Sequence, residues 1–155
     1  SLTLRGNAKL QCLQADMDDP ASGAVDGLEL FGDTTSLTLE GSSYLKAQGR
    51  NSTGEYLGAA IMSSGTVIVK DSAILETAGY GDVIYTSDSF VMEGGNVSSE
   101  SKNGAGIWSA SINIKNATVK CTSDNGLAMG SWGDISITDS NVITESENSN
   151  GISSD

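Results

Sequence analysis

One short phrase is written six times along this chain, and it leaves few folds open. Begun at the first alternating pair, the copies are SLTLRGNAKLQC from Ser1, SLTLEGSSYLKA from Ser36, TVIVKDSAILET from Thr66, SFVMEGGNVSS from Ser89, SINIKNATVKC from Ser111 and DISITDSNVIT from Asp134. Each opens with apolar residues two apart: Leu2/Leu4, Leu37/Leu39, Val67/Val69, Phe90/Met92, Ile112/Ile114 and Ile135/Ile137. That is the period of a strand with one buried face. After one outward residue comes Gly6, Gly41, Asp71, Gly94, Asn116 or Asp139, residue types that tolerate a left-handed backbone or a tight corner. A second apolar column follows, Leu10, Leu45, Leu75, Val97, Val119 and Val142. Two residues further on lies a small one: Cys12, Ala47, Thr77, Ser99, Cys121 or Thr144.

A third strand is marked by Gly or Asp followed by an apolar residue, at Gly27-Leu28, Gly58-Ala59, Asp82-Val83, Gly106-Ile107, Gly126-Leu127 and Gly151-Ile152. Each repeat is thus expected to hold three short strands and three corners. From Val67 to Phe90, Ile112 and Ile135 the steps are 23, 22 and 23 residues, whereas the two earlier steps, 35 and 30, carry extra loop. Frequent Gly and Ser-Asn-Gly clusters forbid the long i, i+3, i+4 pattern of a helix. A β-sandwich would use hairpins, with no need for equivalent turns at one period. The repeat predicts an all-β, single-stranded parallel β-helix of about six coils, one domain over residues 1–155. The chain opens inside a first strand and stops in a third, so we expect a segment of a longer solenoid, or end coils that stack on other copies.

Composition agrees with a narrow core built in layers. Of 155 residues 37% are hydrophobic and 19 are glycine, so small residues take the place of many large apolar ones. A net charge of −12 without any His speaks against nucleic-acid and anionic-membrane partners, which need clustered Lys and Arg. No apolar run nears the ~18 residues of a membrane span, and no basic-then-apolar leader opens the chain. The lack of His removes the base of a Ser or Cys triad. No paired carboxylates fall on outward strand positions, where a β-helical polysaccharide hydrolase would carry them. A non-enzyme is expected.

In-register stacking makes two further predictions. The outward column Arg5, Glu40, Lys70, Glu93, Lys115, Thr138 would pair opposite charges on neighbouring strands, a register device more than a large stabilising contribution. Cys12 and Cys121 would share an inward column four coils apart, about 19 Å at ~4.8 Å per coil, beyond the roughly 7 Å a disulfide spans. Both are expected to be unbridged, buried thiols.

Both long insertions, residues 13–27 and 48–58, fall between second and third strands, and solenoid insertions gather on a working side. The first holds Asp16, Asp18, Asp19 and Asp26, hard oxygen donors suited to calcium but without EF-hand spacing. Trp108 is expected in the outward column of the third strand with Glu29, Ala60, Ile84 and Ala128. Tyr56 and Tyr80 lie in the loops leading there, and Trp132, in GSWGD, occupies the next corner. Tyr56, Tyr80, Ile84, Trp108 and Trp132 are the candidate ligand surface, a shallow platform for the C–H faces of sugar rings.

The phrase GDISITDSNVIT, followed by NGI, resembles the repeats of bacterial surface carbohydrate-binding β-helix domains, the clostridial polygalacturonate- and cellulose-binding family. The resemblance covers nearly the whole chain. It implies a non-catalytic extracellular or cell-surface domain that binds plant cell-wall polysaccharide, acidic sugars included. It also implies calcium held by loop carboxylates and carbonyls, bridging acidic protein to acidic sugar. No single residue of this chain matches a ligand motif of that family. The other expectation is a structural stalk or adhesin segment. An ice-binding Thr row is not among the readings, because Ile68, Val91, Asn113 and Ser136 interrupt Thr3 and Thr38.

Overall fold

Every strand pairing in the structure is parallel. The computed structural model describes residues 1–13, 26–32, 35–49 and 58–154, which contain no helix and fourteen strands. In chain order these are β1 (Leu2–Leu4), β2 (Lys9–Cys12), β3 (Leu28–Leu30), β4 (Ser36–Leu39), β5 (Tyr44–Gln48), β6 (Ile61–Ser63) and β7 (Thr66–Gly79). They continue with β8 (Ile84–Ser101), β9 (Ile107–Lys115), β10 (Thr118–Ser123), β11 (Met129–Ser131), β12 (Ile135–Thr138), β13 (Asn141–Ser146) and β14 (Ile152–Ser154). All belong to one all-β parallel arrangement of the solenoid kind.

The pairings form three ladders. In the first, Leu2 is opposite Leu37, then Val67, Phe90, Ile112 and Ile135 in succession. In the second, Leu10, Leu45, Leu75, Val97, Val119 and Val142 are successive partners. Both columns have the register that the repeat predicts. The third differs: its inward residues are Leu28, Ile61, Ile84, Ile107, Met129 and Ile152. Ala59, Val83 and Leu127 therefore lie ahead of the strand, not in it. Corners also interrupt pairing less than expected. β7 serves the first two ladders and β8 all three, with register shifts at Asp71/Ile74 and Thr86/Ser89.

The first corner is set by backbone chirality. Gly6, Gly41, Asp71, Gly94, Asn116 and Asp139 all have φ between 49° and 101°, the left-handed region where most side chains cost roughly 1–2 kcal/mol. Glycine avoids that cost, and Asn or Asp lessens it by local hydrogen bonding. Inward residues fill the interior, among them Leu37, Leu45, Val69, Phe90, Ile107 and Ile114, none with measurable exposure. At about 1.5–3 kcal/mol for each large apolar side chain buried, this stacking outweighs exposed charge pairs worth ~0–1 kcal/mol. The predicted charge column is also only partly realised. Arg5 Nε meets Glu40 Oε1 at 2.6 Å, but no other rung of that column closes into an ion pair among the described residues.

Both cysteines are free. Cys121 is fully buried, but Cys12 is only half-buried, as are its neighbours Leu10 and Leu2. Burial pushes the Cys121 thiol up to about 12 and raises Cys12 in the same direction.

Candidate functional site

The third ladder presents its site because its paired steps are so short. Each is a three-residue step, inward, outward, inward: Ile61-Met62-Ser63, Ile84-Tyr85-Thr86, Ile107-Trp108-Ser109 and Met129-Gly130-Ser131. The outward column is therefore Glu29, Met62, Tyr85, Trp108, Gly130 and Ser153. This corrects the expected column at Ala60, Ile84 and Ala128, all fully buried. Ile84 is a core residue and no part of a ligand surface. Its neighbour Tyr85 takes the outward place beside Trp108. Aligning Ile84-Tyr85-Thr86 with Ile107-Trp108-Ser109, apolar, aromatic, hydroxyl, is the sequence signal that identifies it.

Three aromatic rings meet here. Tyr85 and Trp108 are direct register partners on neighbouring strands. Trp132 stands nearly perpendicular to both, its centroid 5.4 Å from Trp108 and 5.9 Å from Tyr85, with interplanar angles of 89° and 84°. Such edge-to-face pairs contribute about 0.5–1.5 kcal/mol beyond area burial. Trp132 nevertheless keeps 45% of its surface exposed. Gly130 makes the arrangement possible: a Cβ there would stand 2.2 Å from Trp108 Cζ3, so the ring occupies the space a side chain would need.

The corner that carries Trp132 is held by buried hydroxyls. Ser109 Oγ donates to the Ser111 carbonyl at 2.8 Å, and Ser131 Oγ donates to the Ala110 carbonyl at 3.1 Å. Gly133 N donates to Ser131 Oγ at 3.1 Å, and Trp132 N to the Ser109 carbonyl at 3.1 Å. Equivalent bonds join Ser63 and Thr86 to the Gly65 carbonyl. The platform is thus fixed from below by satisfied buried polar groups, which cost least when fully paired.

Tyr80 lies half-buried in the preceding turn, where its carbonyl accepts from Asn103 N, and its ring makes no contact with the trio. Tyr56 falls outside the described residues, as do Asp16, Asp18 and Asp19. Of the calcium candidates only Asp26 is described. Its Oδ1 accepts Ala59 N at 2.5 Å, and a hydrogen bond to it, joined by burial and charge repulsion, raises the carboxyl pKa of Glu29. Among the described residues no group of three or more Asp, Glu or Cys is placed to hold a metal. Comparison with protein-family models, curated proteins and solved structures finds no match.

Charge separates this face from the others. Arg5, Lys70 and Lys115 follow the first ladder, Lys9, Lys46 and Lys120 lie on the second, and Lys102 is in the turn after it, bridged to Asp124 at 3.1 Å. None of these cations lies on the third ladder or the corner that follows it. Asp88 and Asp134 do occupy that corner, and Glu29 the outward column. No helix among the described residues is long and apolar enough to cross a membrane.

Proposed function

We propose that the chain forms a single parallel β-helix of six coils that acts as a non-catalytic carbohydrate-binding module outside the cell or at a bacterial surface. The observation that carries this reading is the Tyr85, Trp108 and Trp132 cluster on an outward strand face. Large rigid rings offer apolar area at low entropic cost and stack on the C–H faces of sugars. An open strip on a flat sheet suits a polymer better than a small molecule, which would need a concave pocket. The repeat-level resemblance to clostridial carbohydrate-binding β-helices supports the same class. Calcium assistance gains no support from Asp26, whose carboxylate is already engaged by Ala59 and Glu29.

The test is affinity electrophoresis of the whole chain through gels holding a cellulose derivative, xylan or polygalacturonate. Retardation by at least one, weakened in Trp132→Ala, is expected. If no glycan retards the chain, the stalk reading takes its place, for which the hydrogen-bonded ladder of Asn103, Asn125 and Asn148 is the favouring observation.

A further inference from the structure

The charges around the aromatic cluster narrow the kind of glycan it takes. Resting on the carbohydrate-binding reading above, we infer that the Tyr85, Trp108 and Trp132 platform binds a neutral, linear polysaccharide without calcium, its chain lying across the strands.

Three observations lead there. First, the described cations all lie off this face, whereas Asp88, Asp134 and Glu29 lie on it or at its edge. Among the described residues a uronate carboxylate would meet no positive partner on this face, and it would approach ring faces that carry the negative side of the aromatic quadrupole. The net charge of −12 adds long-range repulsion of any polyanion. Second, the described residues offer no seat beside the rings for the cation that would reconcile acid with acid. Asp26 Oδ1 is committed to Ala59 N, and no three metal-binding side chains converge among the described residues. Neutral hydroxyls need neither a cation nor a counter-charge.

Third, the platform has a direction. Tyr85 and Trp108 are register partners, so their Cα atoms are one strand spacing apart, about 4.8 Å. The surface continues to Gly130 on the next strand, where the Trp108 ring lies over the bare backbone. A strand spacing is comparable to the length of one pyranose unit. An unbranched chain laid along the stacking direction brings successive sugars to successive rungs, with Trp132 standing beside them as a wall.

The experiment compares two unbranched neutral glycans, a β-glucan and a glucomannan, with polygalacturonate, each in gels containing chelator or calcium, at low and high salt. Retardation by a neutral glycan that persists in chelator and in high salt is expected, since screening leaves uncharged contacts unchanged. Trp132→Ala, an exposed position, should weaken it about tenfold. Gly130→Ala, which displaces the Trp108 ring, should weaken it with all charges unchanged, and tryptophan emission of the folded variant reports that displacement. Calcium-dependent retardation by polygalacturonate alone overturns this inference and leaves carbohydrate binding standing. Retardation by no glycan overturns both.

Discussion

Buried hydroxyls divide into two kinds, and the difference sets what each side chain contributes. Ser63, Thr86, Ser109 and Ser131 brace a corner, each donating to a backbone carbonyl at or beside the turn. Ser43 is equally buried, in the inward column with Ala8 and Ala73, yet its Oγ has no hydrogen-bond partner. An unmade buried hydrogen bond costs about 1–3 kcal/mol, whereas a made one contributes about 0.5–1.5 kcal/mol net. Ser43→Ala should therefore leave stability unchanged or raise it by up to ~1 kcal/mol. Ser109→Ala should lower it by about 0.5–1.5 kcal/mol, because its made hydrogen bond to the Ser111 carbonyl is lost. Urea titration of both variants checks this, with an unchanged m-value showing that only stability moved. A larger loss at Ser43 than at Ser109 would contradict the assignment. The same residue scale shows where sequence stops being readable. The corner residues from Gly6 to Asp139 were legible because left-handed backbone admits few residue types. Tyr85 was legible only by aligning one coil with the next, because Val83 and Ile84 are buried in succession, so no period-2 alternation marks where its strand starts.

At the scale of elements, the turns between second and third ladders carry a second repeating device. Asn125 Nδ2 donates to Asn103 Oδ1 at 2.9 Å, and Asn148 Nδ2 to Asn125 Oδ1 at 3.0 Å. Beneath them Ser101, Ser123 and Ser146 donate to the carbonyls of Gly81, Gly104 and Gly126 and receive the amides of Gly104, Gly126 and Ser149. The signal was present in the sequence as SKNG, SDNG and SENS at steps of 22 and 23 residues. It is hard to distinguish there from ordinary turn chemistry, because Ser, Asn and Gly favour any loop. The charge column shows the opposite failure, with signs that alternate in sequence while only Arg5 and Glu40 meet. Exposed long side chains lose more entropy on pairing than a screened ion pair returns; a short amide held against the backbone loses less. Asn125→Ala is central to the ladder and severs both amide bonds, so it should cost about 1–2 kcal/mol. Asn148→Ala severs one amide bond and the bond to the Asp124 carbonyl, so it should cost less. Double-mutant cycles between positions 103 and 125 should show a coupling that cycles between 103 and 148 lack.

For the whole molecule, strand pairing joins each repeat only to its sequence neighbours, as the successive partners in all three ladders show. Stability in such an array is a sum of repeat and interface contributions, and opening is graded along its length. The two cysteines sample that gradient without any engineered probe. Cys12 is half-buried beside residues that pack on the core from its margin, whereas Cys121 is enclosed between β8 and β13. Only a thiolate reacts with an alkylating reagent. With its pKa pushed up to about 12 by burial, Cys121 in the closed state is protonated near pH 8. Its labelling then requires opening, which returns the thiol to water and to an ordinary pKa. Cys12, half-buried with a raised pKa, should label faster than Cys121 in native buffer, and Cys121 only at a rate that rises with urea as opening exposes more surface. The pH dependence has a definite sign: the folded state retains the Cys121 proton that the unfolded state loses, so stability should fall as pH rises above about 9. Cys121→Ala, which matches Ala47 in the same column, should flatten that decline. Equal labelling rates for both thiols at low urea would mean that the array opens all at once, and that repeats joined only to their neighbours still unfold as one unit.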